Sequence, residues 1–252
     1  MNKNTFFVLL ILNMLGCAGI PNVDVSQLQV SDSDKETEIG SDGSQYLASL
    51  MARMRGTQFG DRLFKRSTKV YWLVPEVHEI DLKLTAREEN MSQQEYQRRL
   101  DKLREIHQEY LIFSIDLRMP LIAKWTKDEL IDFLKTNLVI TLDVGSKKET
   151  VPENTTYRTI ERFEEQEVQD LLSGSKNIEV SIPLRVSFNK RTAKGDLITP
   201  STNRVILKLR LKEPPPFNIG DFDARAFQGF LWKVTHKKKA PSIRQGPGGR
   251  KK

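Results

Sequence analysis

A single cysteine, Cys17, stands among the 252 residues. One thiol cannot close an intramolecular disulfide, so no disulfide framework is available to this chain. A thiolate metal site is excluded for the same reason. Histidine is almost as scarce: His78, His107 and His236 are far apart in sequence. None has a second histidine three or four residues away, so helical spacing yields no metal pair. The longest apolar run, Phe6 to Leu15, is well short of the ~20 residues that span a bilayer as a helix. Motifs of nucleophilic and phosphate chemistry are missing too. There is no G-x-S-x-G elbow, no P-loop and no dinucleotide fingerprint. The glycines of "GPGGRKK" end the sequence instead of joining a strand to a helix. Paired acids such as Glu88-Glu89, Asp128-Glu129 and Glu164-Glu165 fall in or beside helical stretches, where they read as solvated faces and helix-start acids. No catalytic residue, cofactor or metal site is expected.

What is present begins at the amino end. Lys3 precedes the apolar run, which is broken only by Asn13 and followed by the small residue Gly16. That order is the pattern of a secretory signal peptide over residues 1–16. The next residue is Cys17, and Met14-Leu15-Gly16-Cys17 resembles the lipobox of bacterial lipoproteins. The resemblance covers about the first 20 residues and departs from the commonest pattern at Met14, where leucine is usual. It implies that Cys17 is acylated, becomes the mature N-terminus and anchors the protein in the membrane of the bacterial cell envelope. Ala18 stands where enterobacterial lipoproteins retained in the inner membrane carry aspartate, so the resemblance favours the outer membrane. A multiply acylated cysteine supplies stable anchoring by itself. The rest of residues 17–44 is rich in Ser, Asp and Glu with few large apolar groups, which predicts a disordered acidic tether.

The opposite end is basic. Residues 233–252 hold eight Lys or Arg and no acid, in a chain whose formal net charge is +7. Pro241, Pro247 and three glycines among residues 246–249 argue against packed structure there. A cationic tail attracts acidic surfaces and anionic polymers. An envelope protein or an anionic polymer is therefore the expected partner, and nucleic acid is disfavoured because no recognition motif accompanies the charge.

Residues 45–232 form the expected folded domain. Period-two alternation dominates it: Ile178, Val180, Ile182, Leu184, Val186 and Phe188 are apolar at every second place. Similar runs span Ile80–Leu84, Leu111–Met119, Leu138–Val144 and Val205–Leu211, with weaker ones at Val70–Val74, Thr155–Ile160 and Phe230–Val234. Such alternation predicts strands with one face on a core. Pro183 inside the best of them suggests an edge or a bulge. Helices are predicted around Tyr46–Met54, from Ser92 and from Thr126, the last two with Glu three residues on in capping-box spacing. Another is predicted over about Glu161–Ser173. Strands apolar throughout would indicate a parallel sheet; these alternate. The fold class is therefore mainly β with helical insertions, an antiparallel β-sandwich of immunoglobulin-like or transthyretin-like kind, with α+β as the alternative.

The functional expectation is a lipid-anchored, non-catalytic binding or scaffold module. Five aromatics crowd into "FNIGDFDARAFQGFLW", and the contact region is placed at Phe217–Lys252. The candidate partner contacts are Phe222, Phe227, Phe230 and Trp232 together with Lys237, Lys238 and Lys239. A closing strand packed on the core is the simpler account of the same aromatics. The alternatives are an envelope polysaccharide or peptidoglycan hydrolase, built on carboxylates from several strands, and a carrier of a small apolar ligand in the sandwich interior.

Overall fold

A computed structural model describes residues 20–29, 43–61, 63–64, 67–120, 126–145, 149–157, 166–169, 176–193, 195–214 and 223–236. Each of the strong period-two runs but one is a strand. The first sheet contains β1 (Asn22–Asp24), β2 (Thr57–Gly60), β5 (Leu138–Asp143), β11 (Arg204–Leu211) and β12 (Gln228–Thr235). The second contains β3 (Lys69–Leu73), β4 (Tyr110–Pro120), β6 (Asn154–Tyr157), β7 (Gln166–Gln169) and β8 (Lys176–Asn189). A short hairpin, β9 (Arg191–Thr192) with β10 (Gly195–Asp196), precedes β11. All pairings are antiparallel except β1 with β12.

The alternation explains the layering. Val205, Leu207, Leu209 and Leu211 on β11 are buried, as are Val180, Ile182, Leu184, Val186 and Phe188 on β8. One parity faces a shared interior, which is the physical content of a period of two. Aromatic rings join the layers there. Trp232 of the first sheet lies 6.0 Å from Trp72 and 5.4 Å from Phe113 of the second, between ring centres. Phe113 in turn meets Phe188 edge-on at 5.8 Å. The protein is thus a mainly β sandwich with helical insertions.

Those insertions are α1 (Gly43–Met54), α2 (Pro75–Glu88), α3 (Gln93–Glu109) and α4 (Lys127–Asn137). Both predicted caps form: the Ser92 side chain accepts from the Glu95 N–H, and Thr126 and Glu129 make a reciprocal capping box. The expected strand at Ile80–Leu84 is instead part of α2. Pro75 opens that helix, where its missing N–H costs nothing. Val77 and Ile80 are buried and Leu84 packs against the core, a three-and-four spacing that a five-residue window cannot separate from alternation. The expected helix over Glu161–Ser173 is also corrected. Gln166–Gln169 is strand β7, paired residue for residue with Lys176–Glu179, because a neighbouring ladder overrides local preference. Nor is β8 an edge. It lies between β4 and the β6 and β7 pair, and Pro183 falls at the gap between the registers of β6 and β7.

Both domain boundaries move outward. The tether expected over residues 17–44 gives way at Asn22–Leu28, which belong to the fold. Val23 is fully buried and Leu28 nearly so. Asp24 and Gln27 form a capping box for the single helical turn Val25–Leu28. The Lys190 ammonium bonds both the Leu28 carbonyl, at 2.7 Å, and the His107 carbonyl at the end of α3. At the other end β12 runs to Thr235, and a ring nitrogen of His236 meets the Thr202 carbonyl at 2.8 Å. Residues 233–236, expected in the tail, are therefore sheet and its closure. Cys17, the signal segment and residues 30–42 lie outside the described residues.

Candidate functional site

The outer edge of β12 is covered by two short strands instead of one long one. β2 pairs with Gln228–Leu231 and β1 with Lys233–Thr235. Because β2 is antiparallel and β1 parallel, both strands start at the junction and run away from it, leaving Trp232 opposite neither. A cleft of about 630 Å³ opens at this break. Pro21 and Asn22 at the start of β1 line it, with Gly56, Thr57 and Gln58 leading into β2. Arg53 and Arg55 stand at its wall, from the end of α1 and just beyond it. Ala52, Thr68 and Phe230 complete the lining.

Local chemistry holds this shape. The Trp232 indole N–H donates to the Met54 carbonyl at 2.9 Å, fixing the end of α1 over the interior. Gly56 then crosses the indole so closely that a Cβ there would lie 2.6 Å from the ring; any larger residue must displace either the ring or the chain. The Gly56 N–H donates to the Val70 carbonyl at 2.9 Å. The Thr68 hydroxyl is engaged by the Arg118 N–H at 3.0 Å, so it serves as wall.

The electrostatics of the cleft are one-sided. Among the described residues it is lined by two arginines and no acid. Both arginines are exposed, and neither makes an ion pair among the described residues. A planar guanidinium presents paired donors that match a carboxylate or phosphate. Amide and hydroxyl groups of Asn22, Gln58 and Thr57 add neutral hydrogen-bonding capacity beside them.

The aromatic contacts expected from sequence divide. Phe230 and Trp232 are core residues, 1% and 0% exposed, so they are withdrawn as surface contacts; inward parity on β12 buries them. Phe230 still forms part of the cleft lining from beneath. Phe227 is half-buried on the other face, edge-on to Phe59 at 5.8 Å and with the Lys208 ammonium 5.3 Å from its ring centre. Phe222, Lys237, Lys238 and Lys239 lie outside the described residues.

Two further clusters went unseen in the sequence. On the outer face of the first sheet Lys208 bonds Glu149 at 2.7 Å and Asp143 at 3.1 Å, and Arg210 grips both oxygens of Glu149. Burial opposes ionisation of Asp143, but the Gly145 N–H and Lys208 outweigh it, so its carboxyl stays below the ordinary range. Glu149 follows the same balance through Lys208 and Thr141. Both groups are held as anions, which suits a clamp binding the loop at residue 149 to the sheet and not a proton donor.

The second cluster is the pair His78 and His107, whose Nδ1 and Nε2 meet at 2.7 Å between α2 and α3. Both rings are buried. Burial, with the charges of Lys190 and Arg185 behind it, pushes His107 down to about 4. A shared hydrogen between two ring nitrogens needs an acceptor on one of them, so this geometry requires at least one neutral ring. Among the described residues no three metal-ligating side chains gather. The pair therefore reads as packing between helices. No protein-family model matches the chain, and neither does any curated protein or solved structure.

Proposed function

We propose that this protein is a lipid-anchored binding or scaffold module of the bacterial envelope, non-catalytic, which holds an anionic group in the cleft beside Arg53 and Arg55. The observation that carries this reading is an open cleft lined, among the described residues, by two arginines and by no acid. The anchor is the acyl group expected on Cys17, and the envelope and outer membrane follow from the lipobox resemblance. The contact region moves from the aromatics of β12 to the broken edge beside them, with the basic tail adding long-range attraction.

The filled interior supports binding at the surface over carriage of an apolar ligand. Trp72, Phe113, Phe188, Phe230 and Trp232 occupy the space between the sheets. The clamped state of Asp143 and Glu149 likewise lends little to a hydrolase, which needs one carboxyl kept protonated.

A photo-crosslinking residue placed at Gln58 in the intact cell tests the site. Crosslinked envelope material is expected there and not from the same probe at the exposed Ile106 on α3. Arg53→Gln with Arg55→Gln should remove it. Equal crosslinking from both positions refutes the cleft. The mass of the mature N-terminus reads acylation of Cys17 directly.

A further inference from the structure

The strand that opens the described fold lies beside the strand that closes it, and because the pair is parallel the chain enters β1 at one end of this short ladder and leaves β12 at the other. β1 and β12 run side by side, Asn22 beside Lys233 and Asp24 beside Thr235. The Lys233 N–H donates to the Pro21 carbonyl at 2.8 Å. Cys17 stands five residues before Asn22, and Lys237 four after Lys233. At ~3.6 Å per extended residue, Cys17 is at most ~18 Å from Asn22, and Lys237 at most ~14 Å from Lys233. The cleft bearing Arg53 and Arg55 is lined by Pro21 and Asn22 themselves. The short link from Cys17 thus ties the anchor to the sheet edge that carries the arginine cleft, and the cationic tail follows from the neighbouring strand β12.

We infer that this edge faces the bilayer and takes the phosphates of anionic phospholipid headgroups in the membrane that holds the anchor. The inference rests on the reading that Cys17 is acylated, and it names the anionic group of that reading. An acyl chain buried in one leaflet puts its cysteine at the headgroup level, and the short link from Cys17 to Asn22 keeps the cleft near it. Headgroups are then at high effective concentration. Arginine forks bind phosphate through paired charge-assisted hydrogen bonds, and no acid among the described lining residues repels it. Lys237, Lys238 and Lys239 follow β12 within four to six residues of Lys233 and add cationic charge of the kind an anionic leaflet attracts. A long tether would hold the domain away from the membrane. A sheet that begins at Asn22 seats it there.

The test uses residues 17–252 carrying Cys17→Ser, so that no acyl chain contributes, with vesicles of phosphatidylcholine alone or mixed with phosphatidylglycerol. Binding to the mixed vesicles only is expected. Each basic residue held at an anionic surface strengthens partition about fivefold, so Arg53→Gln with Arg55→Gln should weaken it roughly 25-fold with the tail intact. Both side chains are exposed, and an unchanged thermal transition confirms that the double variant folds. Undiminished binding by that variant overturns the inference, as does equal binding to phosphatidylcholine. Displacement of the protein by inorganic phosphate at equal phosphate concentration also overturns it, since the cleft would then serve a free anion. With the cysteine absent from the probe, failure here refutes headgroup recognition and leaves acylation to be judged by the mass of the N-terminus.

Discussion

Replacing Val23 and Leu28 by alanine separates an N-terminal segment that is part of the fold from one that merely tethers it. Val23 is 0% exposed and Leu28 6%. Val23→Ala removes about two methylene equivalents, or ~1.6 kcal/mol of burial at ~0.8 kcal/mol each. Leu28→Ala costs ~2–5 kcal/mol where the cavity cannot collapse. Leu28 lies at the rim and closes partly onto solvent, so the lower end applies, and the pair should cost ~4 kcal/mol. For a domain of this size each kcal/mol shifts the transition by ~2–4 °C, so the double variant should melt ~8–16 °C lower. Thermal unfolding of residues 18–252, followed by circular dichroism, measures it. Val151→Ala is the control, since Val151 is 68% exposed, and should leave the transition in place. A double variant that melts with the parent would refute the docking of β1 and the seating argument built on it.

Acid should weaken the fold before most carboxylates titrate. His107 is pushed down to about 4 by burial, assisted by Lys190 and Arg185, while the unfolded chain takes up that proton near 6.5. The unfolded state therefore binds more protons below pH 6.5, and stability falls with pH until about 4, by ~2 kcal/mol between pH 7 and 5. Denaturant unfolding at the two pH values measures the drop; His107→Gln should flatten it, and an equal slope in both proteins would sink the assignment. The position of a truncation should matter as well. Ending the chain at Trp232 removes buried Val234 and the Lys233 N–H bond to Pro21, and with them the ladder that holds β1. It should lower the melting temperature by several degrees, at ~2–4 °C per kcal/mol, whereas ending at His236 should not. Equal melting of the two truncated chains would refute the extended boundary of β12.

What the sequence alone determined about this protein is what local periodicity can express. Alternation over Leu111–Met119, Leu138–Val144, Ile178–Phe188 and Val205–Leu211 became β4, β5, β8 and β11, because burying one face of a pleated strand imposes a period of two. Ser92 and Thr126 start their helices as their spacing predicts, since capping is settled within four residues. Five residues from Ile80 to Leu84 were too few to tell that period from a helical stripe. Tertiary structure decided the rest. β1 is three residues long and exists only because β12, more than two hundred residues later, offers a ladder. The pairing of His78 with His107 depends on two helices meeting. The cleft gathers Asn22, Arg53, Gln58, Thr68 and Phe230 from four separate segments, so no motif could announce it. Such a site arises where two chain segments share one sheet edge and fail to meet.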